Sequence, residues 1–417
     1  MSTTSSAPDE HKERPLRRNT DFLLLWTGAG ASEFGAKMSV IAFPLLIIWH
    51  TGSPIGAGLV SFAGLLPVLL LQLPAGVLVD RWDRRRLMMV CDAIAAVGML
   101  SVVLALLLGV AWLPHLLVVC FVEGACMVFY RLAERTAVRN VVAPTQLAAA
   151  MSQNEARSRA AGLLGQPAGS SLYAVLWWLP FLAAAVGHLI ALGNLTGVKR
   201  PLQTERVKRR GELRAEVKEG FRWLWNQRFL RAATLVVAVT NFVGQIVTMA
   251  PLVVFKNTGV SAAVAGLVGL LGGVGGVLGA LIASRVLRRF SLGSLIRLDL
   301  LVRCVLIPMM AFTTAVPLLL APFAFMSLTG AMLNVGAGAY MARTVPDEKH
   351  GRAMSVMLLT AGGANSAGAL TAGMLLGFLG PATTLLAVGG VLIAVTVAAL
   401  LTPAVRNGPE WDEANPA

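Results

Sequence analysis

The chain is a succession of apolar runs of about twenty residues separated by short polar stretches. At 1.5 Å of rise per residue, a helix of that length crosses roughly 30 Å of hydrocarbon. A segment in lipid must satisfy its own backbone polar groups, and long runs do so as helices. The expected fold class is therefore an all-α membrane protein. Composition agrees, because 13% of residues are charged and 56% are hydrophobic, whereas a soluble domain is about one quarter charged. The formal charge of +14 could suit a nucleic-acid binder, but here the basic residues interrupt apolar runs instead of covering a polar surface, so no nucleic acid is expected. Cys91, Cys120, Cys126 and Cys304 lie in or beside apolar runs without metal-ligand spacing, and read as packing residues. No metal and no cofactor are expected.

Twelve segments emerge, at about 22–48, 54–79, 87–110, 113–138, 155–177, 179–197, 230–255, 261–284, 294–313, 316–341, 353–378 and 381–403. An even number places both termini on one side, and 32 of the 35 Lys and Arg fall there. Only Lys256 falls opposite, and Lys37 and Arg303 lie within segments. Cationic loops resist translocation, so both termini are expected in the cytoplasm, with the protein in the inner (plasma) membrane. The resulting division is a polar N-terminal tail at 1–21, without the apolar core of a signal peptide, then six helices at 22–197. A cytoplasmic linker at 198–229, six helices at 230–403 and a tail at 404–417 follow. The linker holds Lys208-Arg209-Arg210, then Leu213, Val217, Phe221 and Leu224 on one helical face. That spacing predicts an amphipathic helix on the membrane surface, drawn to anionic lipid.

The two sets of six repeat each other. Pro44-Leu45 and Thr51-Gly52 are answered by Pro251-Leu252 and Thr258-Gly259 at an offset of 207. Gly76, Arg85-Arg86 and Met151-Ser152 are answered by Gly279, Arg288-Arg289 and Met354-Ser355 at 203. Both copies enter the membrane from one side, giving two parallel six-helix repeats, as in transporters whose halves rock about a central site. Nearly the whole chain resembles the major facilitator superfamily. Gly76-Val-Leu-Val-Asp80-Arg81-Trp-Asp83-Arg84-Arg85-Arg86 resembles its signature between helices 2 and 3, in the form found in macrolide-efflux and siderophore-export proteins. Glu219-Gly220-Phe221-Arg222-Trp223-Leu224, and Val345-Pro346-Asp347-Glu348 before Gly351-Arg352, resemble the same branch. The resemblance implies that Gly76, Asp80, Arg81, Arg84 and Arg85 form a gating motif. Physically, a carboxylate at a helix end can pair with those arginines or a facing helix N-terminus in one state and release them in the other. Gly162, Gly165, Pro167 and Gly169 resemble the family's antiporter motif, with Gln166 displacing the proline by one place. Their spacing also serves close helix packing.

Charges in mid-membrane cost about 2.5–3.5 kcal/mol each on insertion scales and are functional candidates by default. Glu33 and Lys37 lie one turn apart in the first segment, Glu123 lies inside the fourth, and Asp299 with Arg303 repeats the i,i+4 spacing in the ninth. Family folds place helices 1 and 4 on the central cavity and helix 9 at the periphery, so Glu33, Lys37 and Glu123 are the expected coupling and substrate residues. Burial makes a carboxylate easier to protonate, so an alternately exposed one can carry a proton across. The helix-4 arginine common in proton-coupled members is replaced by Cys120. No G-x-x-x-x-G-K-[ST] loop occurs, so the chain holds no ATP motor of that type. The expected function is proton-coupled efflux of an amphipathic small molecule, a drug, antibiotic or siderophore, by an antiporter conferring multidrug resistance and working as a monomer. Rival readings are a proton-independent or importing metabolite carrier of the same fold and, remotely, a membrane-embedded lipid-modifying enzyme.

Overall fold

The computed structural model describes residues 15–203 and 213–403. The run Lys208-Arg209-Arg210 and the expected tails at 1–14 and 404–417 lie outside the described residues, as do the side chains of Leu213 and Val217. The first six helices are α1 (Thr20–Thr51), α2 (Pro54–Arg81), α3 (Arg84–Leu107), α4 (Leu113–Val141), α5 (Leu147–Val175) and α6 (Leu179–Gly197). After them come α7 (Leu213–Asn226), α8 (Arg228–Asn257), α9 (Leu267–Leu287), α10 (Leu292–Met310), α11 (Val316–Thr344) and α12 (Asp347–Leu401). A short 3-10 turn, Ala262–Gly266, leads into α9. The starts follow local chemistry. Asn19, Ser53, Asp83 and Ser291 cap α1, α2, α3 and α10 by accepting from the N–H groups of Phe22, Gly56, Arg86 and Ser294. Pro54 opens α2, where its missing N–H costs nothing.

Among the described residues, nine helices are long and apolar enough to cross a membrane on length and composition alone. Two more crossings, α5 and α10, carry charges inside the helix that such a count penalises. The twelfth comes from α12, where Gly380 (φ 73°, ψ 171°) breaks the helix ahead of Pro381 and turns the chain back. The repeat is visible in the backbone. Buried Pro44 and Pro251 sit inside α1 and α8, and Gly52 (φ 66°) and Gly259 (φ 73°) take the left-handed conformation at the following turns.

Three expectations change. The fourth segment runs on to Val141 and the fifth starts at Leu147 rather than near 155, so residues expected at the helix ends lie inside helices. The eleventh begins at Asp347 instead of about 353. The amphipathic helix does not lay its whole apolar face on lipid. Leu224 is buried against Leu230, Met341, Val345, Ala353 and Val356, whereas Phe221 stacks on Trp225 and both stay exposed.

We call the end bearing residues 15 and 403 the basic face and the opposite end the turn face. Near the turn face one apolar core unites the two halves, joining Ile41–Ile48 of α1 to Met249, Leu252, Val253, Val254 and Phe255 of α8 and to Ala372 and Leu376 of α12. Toward the basic face each half closes on itself. Phe22, Leu25, Tyr130 and Leu195 belong to one core, and Ala233, Ala283, Leu295 and Met332 to another. The halves thus share one apolar core near the turn face and have separate buried cores toward the basic face.

Candidate functional site

The charges meet on α1, whose neighbours approach unusually closely. A Cβ at Gly165 of α5 would fall on the Cβ of Lys37, and one at Gly169 on the backbone of Met38. Such contacts bring α5 against α1 and place its polar residues beside Glu33. Ser158 Oγ donates to Glu33 Oε1 at 2.6 Å, and Arg157 Nη2 lies 3.7 Å from Glu33 Oε2. The same nitrogen donates to Glu134 Oε1 of α4 at 2.7 Å, while Nη1 donates to the Trp26 carbonyl at 3.2 Å. All three charged side chains are buried. Two carboxylates therefore share one guanidinium between α1, α4 and α5. Although Glu33 and Lys37 lie one turn apart, no ion pair joins them among the described residues: Glu33 turns to α5, and Lys37 stays half-buried in the field of Arg131 and Glu33. Arg131 is exposed.

Glu123 takes a different partner. Ser39 Oγ donates to its Oε1 at 2.6 Å, six residues beyond Glu33 and so roughly 9 Å nearer the turn face along α1. In the second half, Arg303 Nε donates to Asp299 Oδ2 at 2.8 Å and Thr329 Oγ1 to Oδ1 at 2.6 Å. That pair is as spaced in the sequence, and it joins α10 to α11.

At the basic face the Asp80 motif ties the first half together. Arg85 donates from Nε to the Leu195 carbonyl (2.9 Å) and from Nη2 to the Thr196 carbonyl (2.7 Å), where the end of α6 concentrates negative charge. Arg84 Nη1 reaches the Leu202 carbonyl at 3.3 Å. Asp80 is half-buried, and its backbone carbonyl accepts from Gln203 Nε2 at 3.3 Å. Among the described residues no cation lies within ion-pair distance of its carboxylate, and Arg84 is the cation on which it acts through space. Arg81 is exposed, and Gly76 faces open space.

The α5 motif spans the seam between the halves. Gly165 and Gly169 abut α1, whereas Pro167 and Ser170 meet the 3-10 turn before α9; Ser170 Oγ lies 3.1 Å from the Ala263 carbonyl. Gly162 has nothing against it. On the other side of the seam Gly58 of α2 and Gly373 of α12 meet backbone to backbone.

The sequence profile of the transmembrane secretion effectors matches residues 13–416. The chain belongs to this major facilitator family. Multidrug efflux pump Tap of Mycobacterium tuberculosis is 30% identical over 240 residues, covering 54% of this chain and 55% of that one. Macrolide efflux protein A of Streptococcus pyogenes is 26% identical, covering 53% and 55%. The chain thus aligns over about half the length of these curated relatives. A bacterial homologue of the lysosomal transporter Spinster, solved inward-facing and unoccupied, shares the fold with a TM-score of 0.76 at 15% identity, covering 97% of this chain and 100% of that one. A D-xylose–proton symporter superposes with a TM-score of 0.68 at 15% identity, covering 95% and 99%.

Two segments that resemble this transporter branch touch one another: Glu219 pairs with Arg352 at 2.5 Å, and a Cβ at Gly220 would lie 2.8 Å from the Arg352 carbonyl. Four buried charged or titratable residues, Asp92, Glu134, Arg157 and His188, were not anticipated. The α4 stripe of Glu123, Tyr130 and Glu134, spaced by seven and four on one helical face, is the signal that could have exposed Glu134.

Proposed function

We propose that this protein exports amphipathic small molecules across the plasma membrane by alternating access, with proton entry as the driving force. The observation that carries the reading is the pair of buried carboxylates, Glu33 and Glu134, on the single guanidinium of Arg157. At ion-pair distance that network holds one more negative charge than positive. A proton or a cationic group on Glu33 relieves the imbalance, so the two compete for the site. Glu123, held by a hydroxyl rather than a cation, is the second acid open to that competition. The multidrug and macrolide efflux relatives support the substrate class and the direction of transport.

In this reading the termini and the basic face are cytoplasmic, and the structure is the state that loads substrate from the cell interior. Asp80 then finds its cation or facing helix end in the opposite state, so the motif biases the equilibrium. The test uses inside-out vesicles with a trapped pH probe, energised and challenged with amphipathic drugs, dyes and siderophores. Compounds that release protons in the unaltered chain, but not in Glu33→Gln with Glu123→Gln, are the expected result. Substrate counterflow without proton movement would overturn proton coupling and leave a uniporter on this fold.

A further inference from the structure

Ser32 precedes Glu33 on α1 and faces different neighbours. Its Oγ donates to Asp92 Oδ1 of α3 at 2.8 Å and lies 3.0 Å from His188 Nδ1 of α6, which is itself 3.0 Å from Asp92 Oδ1. A carboxylate oxygen accepts, so Nδ1 carries a hydrogen and donates it. Asp92 is 1% exposed and His188 3%. α6 can deliver His188 there because Gly187 packs on the Ala31 backbone and Gly35 on Ala184.

Three buried atoms around this cluster have no partner: Asp92 Oδ2, His188 Nε2 and the Tyr130 hydroxyl. Their three residues line one chamber of about 10 Å³, together with Ser32, Cys91, Cys126 and Met127. One water needs roughly 10–15 Å³ and two to four polar partners. A water there accepts from Tyr130 and donates to Asp92 Oδ2 and His188 Nε2, which completes the hydrogen-bond count with a neutral imidazole.

We propose that this chamber is a proton-binding site, distinct from Glu33 and Glu123, in which Asp92, His188 and Tyr130 hold one water and His188 Nε2 takes up the proton. A proton delivered to the chamber water passes to Nε2, the water keeps its two hydrogens, and the imidazolium pairs with Asp92; unloading reverses the step. Charged groups surround the chamber from α4 and α5. Glu123 of α4 acts on His188 directly, and Glu134 of α4 and Arg157 of α5 act on the neighbouring Tyr130. Glu33 follows Ser32 on α1 and acts, with Arg131 of α4, on Lys37, and Cys91 of α3 and Cys126 of α4 line the chamber. Ser32 touches both members of the pair, so loading acts on α1 one residue from Glu33. Only that last consequence rests on the proton-coupled reading of the transporter.

The test is nuclear magnetic resonance of the full chain with isotope-labelled histidine in lipid nanodiscs, His188 being assigned by subtraction with His188→Gln. The His188 resonances should change from one neutral tautomer to imidazolium on acidification. Tyr130→Phe, which removes a single hydroxyl, should move that midpoint by about tenfold in proton activity, and Asp92→Asn by more. Glu33→Gln should leave the change in place. A His188 that stays neutral wherever the chain is folded, or a midpoint indifferent to Tyr130→Phe, overturns the site. Vesicles without drug-driven proton movement would sink the antiporter reading while leaving this titration intact, so the two failures are separable.

Discussion

The two halves are copies of one six-helix plan, yet they spend buried charge differently. At the offset of 203 that aligns α2 and α5 with their repeats, Asp92, Glu123, Glu134 and Arg157 correspond to Leu295, Met326, Ala337 and Thr360. At the offset of 207, Glu33 corresponds to Thr240 and Lys37 to Gly244. The second half keeps Asp299, Arg303 and Thr329, one acid matched by one base between α10 and α11. A matched pair needs no further proton to be neutral. The first half has two acids on one base and, beside them, an acid–imidazole pair with orphaned atoms. The shared helices show that the fold requires neither arrangement: among the described residues the two acids on one base lie in the first half, and the second is mainly apolar inside apart from its one matched pair.

The largest effects should come from the two guanidiniums. Arg157→Met strands Glu33 and Glu134, and removing one partner of a buried pair typically costs about 3–5 kcal/mol. Arg303→Met strands Asp299 with only the Thr329 hydroxyl, at the lower end of that range. Thermal unfolding in detergent should fall in both, whereas drug-driven proton release should vanish only in Arg157→Met. Equal loss of release in both variants would break the comparison. The hydroxyls give a gentler version. Ser39→Ala and Thr329→Val each remove one donor to a buried carboxylate, worth roughly 1.5–3 kcal/mol. Ser39→Ala should also shift the pH profile of vesicle transport through Glu123, and Thr329→Val should not.

Glycines separate stability from state. Gly58→Val forces a side chain into Gly373 across the seam, an overpacking of about 1–3 kcal/mol that applies only while the turn face is closed. The expected outcome is a wider population of distances between spin labels at Thr51 and Ser261. Gly275→Val clashes with Ala324 between α9 and α11, inside one half, and should lower the unfolding temperature without moving those distances.

The fold was legible because a bilayer dictates the length and polarity of every crossing, and because duplication left Pro44 and Pro251, and Gly52 and Gly259, at a fixed offset. Glu33 and Glu123 were legible for a related reason: each interrupts a run whose central position in the membrane is plain. Partners were not. Arg157 and Glu134 lie within a few turns of the basic face, where cations are counted as topology signals, and the apolar pattern stops before the helices do. Only three-helix packing shows that they continue inward. Asp92 and His188 were hidden differently, since each stands among mostly apolar residues in its helix, and nothing in one sequence says that α3 and α6 turn them toward each other.

The smallest expected effect lies where the linker docks. Glu219 and Arg352 form a short pair, but their side chains are 54% and 35% exposed, so water and salt screen them and two long side chains must be held still. Glu219→Gln should therefore cost about 0.5 kcal/mol or less in thermal unfolding. The docking of α7 rests instead on Leu224, which is 1% exposed, and on the close approach of Gly220 to the Arg352 backbone. Leu224→Ala should cost several times more, roughly 2–5 kcal/mol for a large buried side chain. If Glu219→Gln were instead the costlier change, the linker would be held by charge, and the apolar character assigned to the second half would not extend to its basic face.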